Sequence, residues 1–115
     1  MQNFTDLDVY NRSKKLFPVL YKIVRSWDLE DQRGLGNQII RAGNSIHANI
    51  AEGFSKTPND FKRYLGISLG SCDEIRSHIS DAHNVGLIDE KTKNSLLLEF
   101  EIIGKQINKL KQNWK

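Results

Sequence analysis

The 115-residue sequence predicts an all-α protein, an up-and-down antiparallel four-helix bundle, from three observations. Apolar residues recur every three or four positions over long stretches. Only two prolines and eight glycines punctuate the chain, too few for a fold of many short strands. Capping residues cluster at three internal places and so divide the chain into four segments. Each segment is about 24–28 residues, about 35–40 Å of helix, and helices of that length joined by loops of about three to five residues fold back on one another. The whole chain, residues 1–115, reads as one domain with helices near 6–27, 29–54, 58–85 and 89–114.

The first helix is expected to begin near Thr5 or Asp6, with Thr5 as cap and Asp6 and Asp8 placing negative charge beside the free N–H groups of the first turn. Its buried face reads Leu7, Tyr10, Phe17, Leu20, Tyr21, Val24 and Trp27. Pro18 removes one backbone hydrogen bond inside this run and predicts a bend rather than a stop. Asp28 is the expected cap of the second helix, which runs uninterrupted to about Phe54. In Thr57-Pro58-Asn59-Asp60, Thr57 suits the N-cap, Pro58 the first helical position and Asp60 the capping-box position. The third helix then buries Phe61, Tyr64, Leu65, Ser68, Leu69, Cys72, Ile75, Ile79 and Ala82 and ends near Gly86, a natural left-handed residue. Asp89 caps the fourth, whose face is Leu96, Phe100, Ile103, Ile107, Leu110 and Trp114.

The second helix carries a second pattern. Leu35, Ile39, Ala42, Gly43, Ile46, Ile50 and Phe54 form its apolar arc. Beside that arc, Gln38, Arg41, Ser45, Asn49 and Glu52 make a polar stripe at spacings of three and four. Lysines and glutamates coat a solvated helix, whereas amides, a hydroxyl and one Arg–Glu couple suggest side chains that bond to each other or to a neighbour. The small residues Gly43, Ala48, Ala51 and Gly53 would let another backbone approach. Three uses stay open for the stripe: packing within the bundle or across a subunit interface, contact with a ligand or nucleic acid, or a solvated face.

No catalytic arrangement emerges. A carboxylate-bridged metal bundle needs paired Glu-x-x-His elements, and none occurs, so Glu74, His78, His47 and His83 are not read as ligands and no metal or cofactor is expected. The single cysteine, Cys72, lies in a helical apolar pattern and reads as core rather than as a reactive thiol. No apolar run approaches a membrane span, and Met1-Gln2-Asn3-Phe4 lacks the features of a signal peptide, so the expected location is the cytoplasm.

Net charge is +3, unevenly spread. Between Asp8 and Asp28 there is no acid but five bases, and after Glu101 come Lys105, Lys109, Lys111 and Lys115 with no acid among them. Arg12, Lys15, Lys22, Lys105, Lys109 and Lys111 are the candidate nucleic-acid contacts; the competing reading is ordinary solubilising charge. Little aromatic interleaving accompanies these bases, which favours contact with the sugar-phosphate backbone over base stacking.

The segment from Gln38 to Phe54, with Arg41-Ala42, Ser45-Ile46 and the closing Asn49-Ile50-Ala51-Glu52-Gly53, resembles the hallmark of the bacterial 23S ribosomal-RNA intervening-sequence protein family. The resemblance extends to Phe4, Leu7 and Val9, to the region of Tyr21, and to Tyr64-Leu65-Gly66 through Glu74, and so covers nearly the whole chain. Ile40, Asn44, His47 and Cys72 depart from the pattern, and Ile40 stands where a second basic residue is common. The resemblance implies a four-helix bundle assembled into a homopentameric ring. It also implies two settings: accessory proteins of diversity-generating retroelements, which work beside a reverse transcriptase and bind nucleic acid through a basic surface, and proteins encoded within ribosomal-RNA insertions. Five copies would carry about +15, which a ring could concentrate on one face. The functional expectation is a non-catalytic, oligomeric accessory protein that binds RNA or DNA; the alternative is a scaffold for protein partners alone.

Overall fold

In the computed structural model, which describes residues 3–115, four long helices make the fold and no strand occurs among the described residues. Met1 and Gln2, which open the predicted domain and entered the signal-peptide reading, lie outside the described residues. The helices are α1 (Asp8–Arg25), α2 (Asn37–Phe54), α3 (Pro58–Asn84) and α4 (Glu90–Asn113). A 3-10 turn, Phe4–Asp6, precedes α1, and a helical turn, Leu29–Asp31, leads through a wide turn, Gln32–Gly36, into α2.

Neighbouring helices run antiparallel. Ser13 meets His47 and Leu20 meets Gly43 between α1 and α2. Ser45 meets Ser71 and Gly53 meets Tyr64 between α2 and α3, while Phe61 meets Trp114 and Gly66 meets Lys111 between α3 and α4. Among adjacent helices packing is most extensive between α2 and α3 and slightest between α1 and α4, in a body of 44 × 22 × 19 Å. Ile46, Ile50, Phe61, Leu65, Ile75, Ile79, Phe100, Ile103 and Ile107 are fully enclosed. Burial of each such side chain stabilises the fold by roughly 1.5–3 kcal/mol before the entropy of ordering it is counted.

Three caps form as the sequence predicts. Asp28 accepts from Asp31 N–H at 3.0 Å, Thr57 from Asp60 N–H at 3.2 Å, and Asp89 from Thr92 N–H at 2.7 Å. Gly86 ends α3 with φ +83°, and α1 continues through Pro18.

Other expectations need correction. Thr5 is not the cap of the first helix: the Asn3 side chain accepts from Thr5 N–H at 2.7 Å and caps the 3-10 turn, and Leu7, extended at φ −85° and ψ 123°, separates that turn from α1. Leu7 is buried, and leaving the helical conformation carries its side chain into the core. The second helix is likewise not continuous. Gly34 adopts φ −87° and ψ −105°, and beyond this bend Gly36 settles so close to α1 that an added Cβ would lie 2.6 Å from Val24 Cγ1. Tyr21 is not core but 44% exposed, and Phe17, Leu35, Phe54, Tyr64, Leu69, Leu110 and Trp114 are half-buried at the margins of the core.

Candidate nucleic-acid interface

The six predicted basic contacts do not share one face. Lys15 and Lys22 are exposed on the outer side of α1. Arg12 instead turns toward α4, where its Nη1 lies 3.1 Å from Glu99 Oε2 and ties together the least-packed pair of adjacent helices. Both side chains are 39% exposed, so the pair stabilises by at most about 1 kcal/mol. Lys105 pairs with Glu101 at 3.3 Å, one helical turn away. Lys109 lines a cleft of about 400 Å³ together with Asp6 and Asp8, whose negative charge offsets its own. Lys111 lies half-buried against Gly66 of α3. The bases of the last helix therefore do not make one phosphate-binding surface: Lys105 is paired, Lys109 shares its cleft with two acids and Lys111 is half-buried.

The outer side of α1 is different. At about 100° per residue, Lys14, Arg25, Lys22 and Lys15 all fall within about 120° of Tyr21, on the side turned away from the core. No acid interrupts this arc between Asp8 and Asp28. Lys14 Nζ lies 6.0 Å from the centre of the Tyr10 ring and the Arg25 guanidinium 5.6 Å from the centre of the Tyr21 ring. Lys14 and Arg25 belong to the basic run already visible in the sequence. Their place beside Lys15 and Lys22 follows from the 3.6-residue repeat once the buried side of α1 is known.

The polar stripe of α2 divides in two. Asn49 Nδ2 donates to Ser45 O at 2.8 Å and to Ser45 Oγ at 2.9 Å, and Ser71 Oγ of α3 donates to Ser45 Oγ at 2.8 Å. This half holds α2 to α3. Gln38, Arg41 and Glu52 are exposed and make no side-chain hydrogen bond or ion pair among the described residues. The expected Arg–Glu couple does not form, since eleven residues of helix set Arg41 and Glu52 about 16 Å apart. Gly43 and Gly53 do admit close approach, by Leu20 and Tyr64, whereas Ala48 faces outward.

Two buried polar contacts had no clear signal in the sequence. Ser68 Oγ donates to the Ile46 carbonyl at 2.7 Å. His47, 3% exposed, sits with Nδ1 2.9 Å from Ser13 Oγ and presents its ring edge-to-face to Tyr10 and Phe17. Burial, with Lys14 nearby, lowers its pKa to about 4. Cys72 is buried, and that burial, with Asp73 adding to it, raises its thiol to about 12, which keeps it protonated and unreactive. Glu74 and His78 lie 3.1 Å apart on the surface, and no group of three His, Cys, Asp or Glu side chains suited to a metal occurs among the described residues. No helix among them is long and apolar enough to cross a membrane.

The model of the 23S rRNA-intervening sequence protein family matches residues 5–109. A crystal structure of a protein of unknown function from the S23 ribosomal protein family of Bacteroides thetaiotaomicron superposes with a TM-score of 0.83 at 21% identity, covering 91% of this chain and 99% of that one. At that identity the likeness concerns the fold. No curated protein matches the chain.

Proposed function

The chain belongs to the 23S rRNA-intervening sequence protein family, and from that membership we propose that it is a non-catalytic oligomeric bundle that binds RNA or DNA backbones through the outer face of α1. The observation that carries this reading is the acid-free arc of Lys14, Lys15, Lys22 and Arg25. Such an arc holds phosphates by releasing their counterions, without regard to base sequence. In this reading the protein works in the cytoplasm and assembles as a homopentameric ring. Gln38, Arg41 and Glu52, exposed and without side-chain partners among the described residues, support a contact with another subunit; so does Ile67, 43% exposed at the same α2–α3 seam. That seam equally favours a second reading, a scaffold whose partner is a reverse transcriptase or another protein and which holds no nucleic acid.

Charge reversal separates the two. Lys15→Glu with Lys22→Glu is expected to weaken binding of labelled RNA about tenfold and to flatten the log–log salt dependence by roughly 0.7–0.9 for each phosphate that is no longer neutralised. Circular dichroism and oligomer mass should stay as in the wild type. Unchanged affinity in the double variant would remove α1 as the binding face.

A further inference from the structure

The side chain that the sequence pattern assigned to the core, Tyr21, is the exposed aromatic of the basic arc. Its ring centre lies 6.1 Å from that of Phe17 and 5.6 Å from the Arg25 guanidinium. It borders a cleft of about 200 Å³ between α1 and the wide turn that begins α2, lined also by Arg25, Gln32, Asn37 and Ile40. The bend at Gly34 and the close seating of Gly36 on Val24 shape this cleft. Tyr64 also has bases beside it, Lys56 and Arg63, but its ring is pressed against Gly53 in the α2–α3 contact, which leaves Tyr21 the freer of the two.

We infer that Tyr21 and Arg25, at the mouth of this cleft, form a stacking site for one unpaired base of a single-stranded nucleic acid. The inference rests on the reading of α1 as the nucleic-acid face and specifies which form of nucleic acid it prefers. The cleft is smaller than the roughly 300–1,000 Å³ of a site that encloses a whole small ligand, so it suits one planar ring whose sugar and phosphate remain outside. Arg25, Lys22 and Lys14 stand on the same side of α1 to meet those phosphates. Polar groups for a base edge are present. Gln32 Nε2 donates to the Trp27 carbonyl at 2.7 Å, which leaves its Oε1 as an acceptor, and the exposed Asn37 amide offers both a donor and an acceptor. A base in a duplex is already stacked and cannot reach the ring, so single strands should be favoured.

The test compares wild type, Tyr21→Phe and Tyr21→Ala against a labelled single-stranded oligonucleotide and its duplex at one low salt concentration, with oligomer mass recorded by light scattering. Tyr21→Ala is expected to weaken single-strand binding about tenfold and leave duplex binding within about twofold, while Tyr21→Phe keeps both. Equal loss on both substrates, no loss on either, or a change of oligomer mass in Tyr21→Ala would overturn the stacking site; the last would mark Tyr21 as a contact between copies. If the wild type binds neither substrate, the nucleic-acid reading itself fails, an outcome distinct from a wild type that binds and a variant that binds equally well.

Discussion

Phe61→Ala is expected to lower the unfolding free energy by about 3–5 kcal/mol, a large share of the roughly 5–15 kcal/mol that holds a domain of this size. Phe61 is wholly enclosed, with its ring centre 4.8 Å from that of Trp114 and 5.7 Å from that of Phe54. It therefore joins the end of α2, the start of α3 and the end of α4 at one point. Removing the ring opens a cavity that these helix ends cannot close, because Gly53 already lies against Tyr64, whose Cβ is held by the backbone of α3. Urea unfolding at fixed protein concentration, followed by tryptophan fluorescence, measures the change, and a cost below about 1 kcal/mol would show that the end of the bundle repacks freely. The same packing explains the closing glycine of the Asn49–Gly53 segment. A Cβ at position 53 would stand 2.5 Å from Tyr64 Cβ, an atom fixed to the backbone of α3 and unable to swing aside.

The second large effect is on pH. His47 holds a folded-state pKa of about 4, below the ordinary 6.5, chiefly because burial opposes its charged form, with repulsion from Lys14 adding to it. As pH falls below about 6.5 the unfolded chain takes up the proton while the folded chain does not. The stability present above 6.5 is therefore lost progressively down to about 4, by up to about 3 kcal/mol in all. Tyr10 and Phe17 surround the ring and Ser13 is its neutral hydrogen-bond partner, and no carboxylate among the described residues offsets the charge. His47→Gln, which can keep a bond to Ser13, is expected to flatten the slope between pH 7 and 4.5. Wild type and variant losing stability in parallel across that range would assign the acid sensitivity to other groups.

Local rules act within a few residues, and they located what depends on a few residues: Asp28, Thr57 and Asp89 each bond to the N–H three positions on, and Gly86 takes the left-handed conformation. Periodicity marked the core of α3 and α4 well, because long uninterrupted helices drift little from one buried arc. It misplaced Tyr21, which follows Phe17 and precedes Val24 at helical spacing yet lies just beyond the arc that α1 buries. It also passed over the break at Leu7 and the wide turn at Gly34, where burial of Leu7 and the approach of Gly36 to Val24 override the local preference for a straight helix.

The candidate site was legible as a charge distribution but not as a surface. The five bases between Asp8 and Asp28 were plain, yet the pairing of Arg12 with Glu99 depends on a partner 87 residues away. Lys105, Lys109 and Lys111 looked unopposed along the chain. In three dimensions Glu101, the Asp6 and Asp8 cleft and the surface of α3 receive them, which leaves α1 as the basic face.

The most direct test of that face is a salt titration of purified protein against fluorescent RNA and DNA, with oligomer mass recorded by light scattering in the same buffers. The expected result is micromolar or tighter binding by a ring-sized oligomer, falling steeply and linearly on log–log axes as salt rises. No binding at low salt, or an affinity indifferent to salt, would contradict it and leave a helical scaffold whose partners are proteins.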